Sequence, residues 1–368
     1  MEDTYPTPGN FVFLERDRVD RLLEKAVQKP IVSIVAGAGY GKTNAVLSFV
    51  KKFQFRTAWI QCSGQENNKK NFWKNYVSAI SVINRAAAGR LKQMEFPVTE
   101  AQFKKYLEVF KKEEMPNEKY ILVYDDVHLI QDKELMLFLE RTITTAFPNI
   151  SSVLLSRTDL VFTSEKTLSK KPVSRITGDE LRFSRDEMIS FFKLLKINPG
   201  PRTASAIYHE TEGWAFAVYL AGLALKNEIT GAESKVMQAL RFNTFRYIEE
   251  EIMASLAPDL RRFLIKISLL ENYNRDLLLK ITGEPDLVKK TEGVNSFINY
   301  DSSENLYGMH RLFREYLASR QNELDEDEKK VVWETAASWS AANNRKTDTV
   351  TFLEKAKNLL NPKYWKIY

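Results

Sequence analysis

The segment that most limits what this chain can fold into is Ala36-Gly37-Ala38-Gly39-Tyr40-Gly41-Lys42-Thr43. It follows the β-branched run Pro30-Ile31-Val32-Ser33-Ile34-Val35-Ala36 and precedes a helical pattern over Asn44–Phe53. Glycines let successive backbone N–H groups turn inward, and the following helix adds the positive partial charge of its N-terminus. Lys and Thr at the helix start complete the pattern of a P-loop, a cradle for phosphate groups. The strict pattern has glycine where Ala36 stands. Read this way, Gly37, Ala38, Gly39, Tyr40, Gly41 and Asn44 line the phosphates, Lys42 reaches the β- and γ-phosphates, and Thr43 offers its hydroxyl to Mg²⁺.

The surrounding first half alternates short β-type runs with longer helical patterns. Strands are expected at Thr57–Cys62, Tyr120–Tyr124, Ser152–Ser156 and, more weakly, Val173–Thr177, with helices over Asn71–Arg90, Glu100–Lys112 and Glu134–Ala146. Such alternation predicts an α/β fold, a parallel sheet with helices on both faces. The apolar run Ile121-Leu122-Val123-Tyr124 ends in Asp125-Asp126. An acid at this strand end can hold Mg²⁺, which makes Asp125 a metal candidate and Asp126 a candidate base for an attacking water. The alternative is that the two acids cap the next helix near His128. Arg157, after the strand ending at Ser156, is placed to contact a γ-phosphate or, alternatively, to pair with Asp159.

After residue 184 the strand signal nearly disappears. Ser184-Arg185-Asp186-Glu187 reads as a capping box opening a helix, and helical patterns follow at 203–211, 214–226 and 234–256. Pro258 starts a helix with the apolar face Leu260, Phe263, Leu264 and Ile267. Two extended runs within 294–309, around the turn at 301–305, then lead to a helix from His310 to Gln321. Helices followed by a small hairpin predict a winged-helix module. The acidic stretch Asp325–Glu328 marks another boundary, before a helical hairpin over 331–342 and 349–360. One such hairpin does not bury its own apolar face, so it either packs back on the preceding module or begins a longer array. The expected division is a P-loop domain at 1–184, a small helical domain at 185–256, a winged helix at 257–324 and a repeat-like hairpin at 325–368.

Composition narrows the chemistry. The 368 residues hold one cysteine, Cys62, which excludes a disulfide framework and any multi-cysteine metal site. No apolar run approaches the ~20 residues of a membrane-spanning helix. Met1-Glu2-Asp3-Thr4 lacks a basic-then-apolar leader, so a cytoplasmic protein is expected. The balance of 54 basic to 48 acidic residues gives a net charge of +6, but the lysines are scattered. The densest stretch, Lys104–Lys112, is diluted by Glu108, Glu113 and Glu114 and reads as a solvated helix face rather than a nucleic-acid patch.

Together these residues resemble the MalT-type members of the STAND class, signal-transduction ATPases that often end in a LuxR-type DNA-binding domain. The resemblance runs through nearly the whole chain: Arg16-Asp17-Arg18-Val19, the P-loop, Asp125-Asp126-Val127-His128-Leu129-Ile130, Leu155–Asp159, Leu181–Ser184, Thr211–Ala215 and Tyr307–Leu317. It implies binding of ATP or ADP with Mg²⁺, Arg16 near the nucleotide base, and His310 as a ligand of the ADP β-phosphate that locks a closed resting state. His209 lacks such a context and reads as structural. Gly37 stands where the family has proline, and Ser63–Asn68 lacks most of the acids of the family's loop.

The resemblance further implies an unknown small-molecule or protein effector, self-association in the ATP state, and DNA binding only through a C-terminal domain that does not follow here. Slow hydrolysis would reset such a switch. A work-performing P-loop ATPase and a non-hydrolysing scaffold remain open from the sequence.

Overall fold

A computed structural model describes the chain except residues 1–13, 63–67, 113–117, 146, 148, 161–171, 227–232, 271, 293–296, 302–305 and 359–368. It divides into two units, 1–198 and 199–368.

The first unit is built on a five-stranded sheet of β1 (Ile31–Val35), β2 (Arg56–Gln61), β3 (Tyr120–Asp125), β4 (Ile150–Ser156) and β5 (Val173–Thr177). The spatial order is β2-β3-β4-β1-β5 and every pairing is parallel. Strands β3 and β4 are buried throughout, as near-continuous apolar runs require when both faces of a sheet are covered. Register decides what meets at the carboxyl edge. Val35 lies opposite Ser156, so the loops leaving β1 and β4 emerge side by side. Gln61 lies opposite Asp125, which does the same for β2 and β3.

Helices cover this sheet at Asp17–Ala26, Lys42–Lys52, Lys69–Ile83, Arg85–Leu91, Glu100–Lys112 and Lys133–Thr145. The single helix expected over 71–90 is two. Asn84 is extended (φ −147°, ψ 106°), and its side chain accepts from the Ala87 N–H, capping the second helix. An asparagine amide competes well with the helical ladder, so it interrupts one helix and starts the next. The capping box at Ser184 is present, with Ser184 Oγ accepting from the Glu187 N–H and the Glu187 carboxylate accepting from the Ser184 N–H. It opens the helix Arg185–Leu194.

The second unit is mainly helical. Pro201–Thr211, Ala215–Lys226 and Glu233–Tyr247 are followed by a π turn at Ile248–Ile252 and a 3₁₀ turn at Met253–Ser255, so the regular helix expected to 256 stops earlier. Pro258–Ile267 follows with the expected apolar face buried. A three-stranded antiparallel sheet of β6 (Asn272–Tyr273), β7 (Ile298–Asp301) and β8 (Leu306–Met309) has the order β6-β8-β7. The tip of the β7–β8 hairpin falls outside the described residues. Arg311–Ser319 comes next, then the helical hairpin Glu326–Ala342 and Lys346–Asn358. This hairpin packs back: Trp339 donates its indole N–H to Asp276, and Arg262 forms a two-point contact with Glu328. Among the described residues no helix is long and apolar enough to cross a membrane.

Candidate functional site

The loop leaving β1 turns through two left-handed glycines, Gly39 (φ 75°) and Gly41 (φ 78°). Side chains with a Cβ are strained there, and the turns aim backbone N–H groups into the concavity. The helix Lys42–Lys52 starts with no acid in its first turn, and its cap residue Gly41 has no side chain, so nothing of its own occupies the anion position at its N-terminus. Thr43 and Asn44 follow Lys42 in that turn. Tyr40 is buried within the loop and its ring rests against Gly178, where a Cβ would come within 3.0 Å of the ring edge.

Lys42 is itself buried, and its ammonium donates to the carbonyls of Ala36 (2.6 Å) and Gly37 (2.9 Å). Burial pulls its pKa down to about 8, and the nearby Arg157 charge adds to the effect. Asp125, at the end of β3, is buried and accepts from the Thr43 hydroxyl at 3.0 Å. Its pKa is pushed up to about 6 by burial first and by the Asp126 charge next. A hydroxyl and a carboxylate so paired are hard oxygen ligands of the kind Mg²⁺ takes, leaving its other positions to phosphate and water. The residues therefore fit the ion.

Asp126 adopts a left-handed conformation (φ 58°) at the start of a 3₁₀ turn, and its carboxylate makes no cap for that turn. It accepts instead from the Gln61 amide at 2.9 Å, across the edge of β2. Arg157 follows β4, and its backbone N–H donates to His128 Nδ1 at 3.4 Å. His128 Nδ1 also lies 3.9 Å from Asp126. Burial depresses the His128 pKa to about 4, with the Arg157 and Lys42 charges lowering it further, so the ring is neutral near pH 7. The alternative partner for Arg157 is taken up elsewhere: Asp159 pairs with Arg175 at 2.5 Å.

The fold thus brings together the 36–44 loop, Asp125, Asp126 and Arg157. It adds two residues that sequence reasoning did not select, Gln61 and His128. The expected strand end at Cys62 and the D-D-x-H spacing were the available signals, but only strand register makes them neighbours. Arg16 is buried with a different set: its guanidinium donates to the Leu181 carbonyl at 2.7 Å and lies 4.8 Å over the Phe183 ring. The loop at 63–67 falls outside the described residues.

His310 belongs to the second unit. It precedes the helix Arg311–Ser319 and is buried, with Nε2 3.2 Å from the Thr211 carbonyl and 3.6 Å from the Glu212 carboxylate. Trp214 and Phe297 face its ring edge-on. Arg311 donates to His209 Nδ1 at 2.6 Å, so His209 holds a structural contact.

Residues 249–329 match the MalT winged helix domain family. The HTH-type transcriptional regulator MalT of Vibrio cholerae is 25% identical over 341 residues, covering 89% of this chain. The protein of the same description from Vibrio parahaemolyticus is 24% identical over 335 residues, covering 88%. The chain is thus similar to MalT over most of its own length. It spans 37% of the length of either relative. Among solved structures, a Walker-type ATPase of Pyrococcus abyssi shares the fold of this chain, with a TM-score of 0.57 at 14% identity, covering 83% of this chain and 96% of that one.

Proposed function

We propose that this MalT-like chain is the nucleotide-dependent switch portion of a STAND-type transcriptional regulator, binding ATP or ADP with Mg²⁺ and hydrolysing ATP slowly. The observation that carries the reading is the pairing of the Thr43 hydroxyl with Asp125 beside the buried Lys42 ammonium, at the mouth of a loop turned by Gly39 and Gly41. In this reading Gly37 to Gly41 and Asn44 line the phosphates and Lys42 binds their outer oxygens. Thr43 and Asp125 would hold the metal ion, which would supply neutralisation of the phosphate charge. Asp126, oriented by Gln61, takes the proton of the attacking water, and Arg157 reports the γ-phosphate. Arg16 braces the segment beside the base.

His310 is proposed as the diphosphate ligand of the resting state. An imidazole N–H suits an anionic oxygen, and a ligand bound better by one state shifts the population toward it. In the same reading the chain divides into four parts, 1–184, 185–256, 257–324 and 325–368. An effector, self-association in the ATP state, a cytoplasmic setting and DNA binding through a further C-terminal domain belong to the same proposal, and the relatives' description as HTH-type transcriptional regulators supports the last of these.

The test is the nucleotide that stays with the purified protein. ADP released on denaturation, its loss in Lys42→Ala, and faster ADP exchange in His310→Ala with ATP binding kept are the expected results. Melting curves unmoved by ATP or ADP with Mg²⁺ would favour a scaffold that binds no nucleotide, because a ligand stabilises the state it binds. Many turnovers per second without effector would favour a motor.

A further inference from the structure

Away from the phosphate site, the first unit carries a groove of about 1150 Å³ along the helices Lys69–Ile83 and Arg85–Leu91. Its floor is apolar, formed by Trp73, Val77 and Phe96, each at most 9% exposed. The floor is also rigid. Trp73 donates its indole N–H to the Met94 carbonyl at 2.8 Å, stacks on Tyr76 and takes Phe96 and Phe138 edge-on. A preformed apolar cleft with a few convergent polar groups is the usual form of a small-molecule site.

The lining is strongly cationic. Lys69 is neutralised by Asp132 and Glu134. Lys70, Lys74, Arg85 and Lys92 have no carboxylate partner among the described residues, and Glu95 is the one acid in the described lining. Like charges gathered beside a low-dielectric wall repel one another and are relieved by an anion.

Gly89 gives a second, independent observation. It lies inside the helix Arg85–Leu91 and lines the groove, and a Cβ there would meet nothing within 4 Å. Its φ is not positive, so no backbone demand requires glycine, although glycine is a poor helix former. The missing side chain leaves the groove open.

We propose that this groove binds an apolar organic anion, a carboxylate or sulfonate on an aromatic or alkyl body. The body lies on Trp73, Val77 and Phe96, and the charge meets the Lys74, Arg85 and Lys92 rim. The site is separate from the phosphate loop and does not depend on nucleotide binding.

The full chain is titrated with 8-anilinonaphthalene-1-sulfonate and with its uncharged relative N-phenyl-1-naphthylamine, following fluorescence. One saturable site is expected, at least tenfold tighter for the sulfonate, displaced by laurate and unaffected by ATP with Mg²⁺. Gly89→Trp fills the groove and weakens both probes at least tenfold without lowering the melting temperature. Lys74→Glu combined with Arg85→Glu changes only exposed side chains and weakens the sulfonate alone. Equal affinity for the two probes, displacement by ATP, or sulfonate binding unchanged in either variant overturns the proposal. Should Gly89→Trp fail to fold, the charge-reversed variant decides.

Discussion

Lys42 carries its charge into a place where loop carbonyls and two nearby carboxylates are its main compensation. With a pKa of about 8 in the folded protein against 10.5 for an ordinary lysine, the unfolded chain binds more protons between those values. Stability therefore rises with pH through that window. Lys42→Met removes the buried charge and is expected to raise the melting temperature of the nucleotide-free protein by about 2–4 °C. The same variant should lose any rise produced by ATP with Mg²⁺, and thermal melts check both arms. Asp125 works in the opposite sense. Its folded pKa of about 6 lies above the ordinary 3.8, so the folded state binds more protons between them, and stability falls as pH rises through that range. Metal binding needs the ionised carboxylate. The Mg²⁺-dependent part of nucleotide affinity should thus weaken below pH 6, and Mg²⁺ titrations giving equal affinity at pH 5.3 and 7.5 would remove Asp125 as a ligand. At this scale the sequence exposes Lys42, Thr43 and Asp125 because loop and strand chemistry is local. Gln61 and His128 stay hidden, because what they touch depends on which strands lie side by side.

Elements follow their local signals closely. The glycine loop, the capping box and the β-branched runs each name their own boundaries. Ser184 shows how much one such signal contributes: its hydroxyl satisfies a helix N–H, while Glu187 also pairs with Arg18 at 3.1 Å. Ser184→Ala is expected to cost about 1 kcal/mol in urea unfolding of the first unit, with Ser184→Asp retaining most of the stability. Where elements departed from expectation, a competing interaction explains it. Asn84 splits the 71–90 helix because its side chain caps the second half. The helix after Glu233 loosens into π and 3₁₀ turns at Ile248–Ser255, immediately before Pro258, whose ring resists the helical geometry that would carry straight on.

At the scale of the whole molecule, the chain divides into two units. In the second, Glu210 is buried, accepts a hydrogen bond from Arg241 and lies 3.5 Å from Arg311, the residue after His310. Arg241→Ala leaves that carboxylate with weaker compensation. The expected loss is about 2 kcal/mol, below the range for a fully buried pair because the Arg241 side chain is 45% exposed. Calorimetry should show this loss in one transition while the nucleotide-responsive transition keeps its position; a shift of both together would show that the units unfold as one. The sequence by itself determined the strand–helix alternation, the phosphate loop, the winged-helix order of elements and the near absence of strands after residue 184. Each of these is written in a repeating pattern or a short motif, which the backbone reads locally. Only the tertiary structure decided that β1 lies between β4 and β5, that Gln61 and His128 join Asp126, that Thr211 and Glu212 enclose His310, and that a cationic groove opens over Trp73. Those outcomes depend on strand register and on packing between distant segments, and no local period in the chain specifies them.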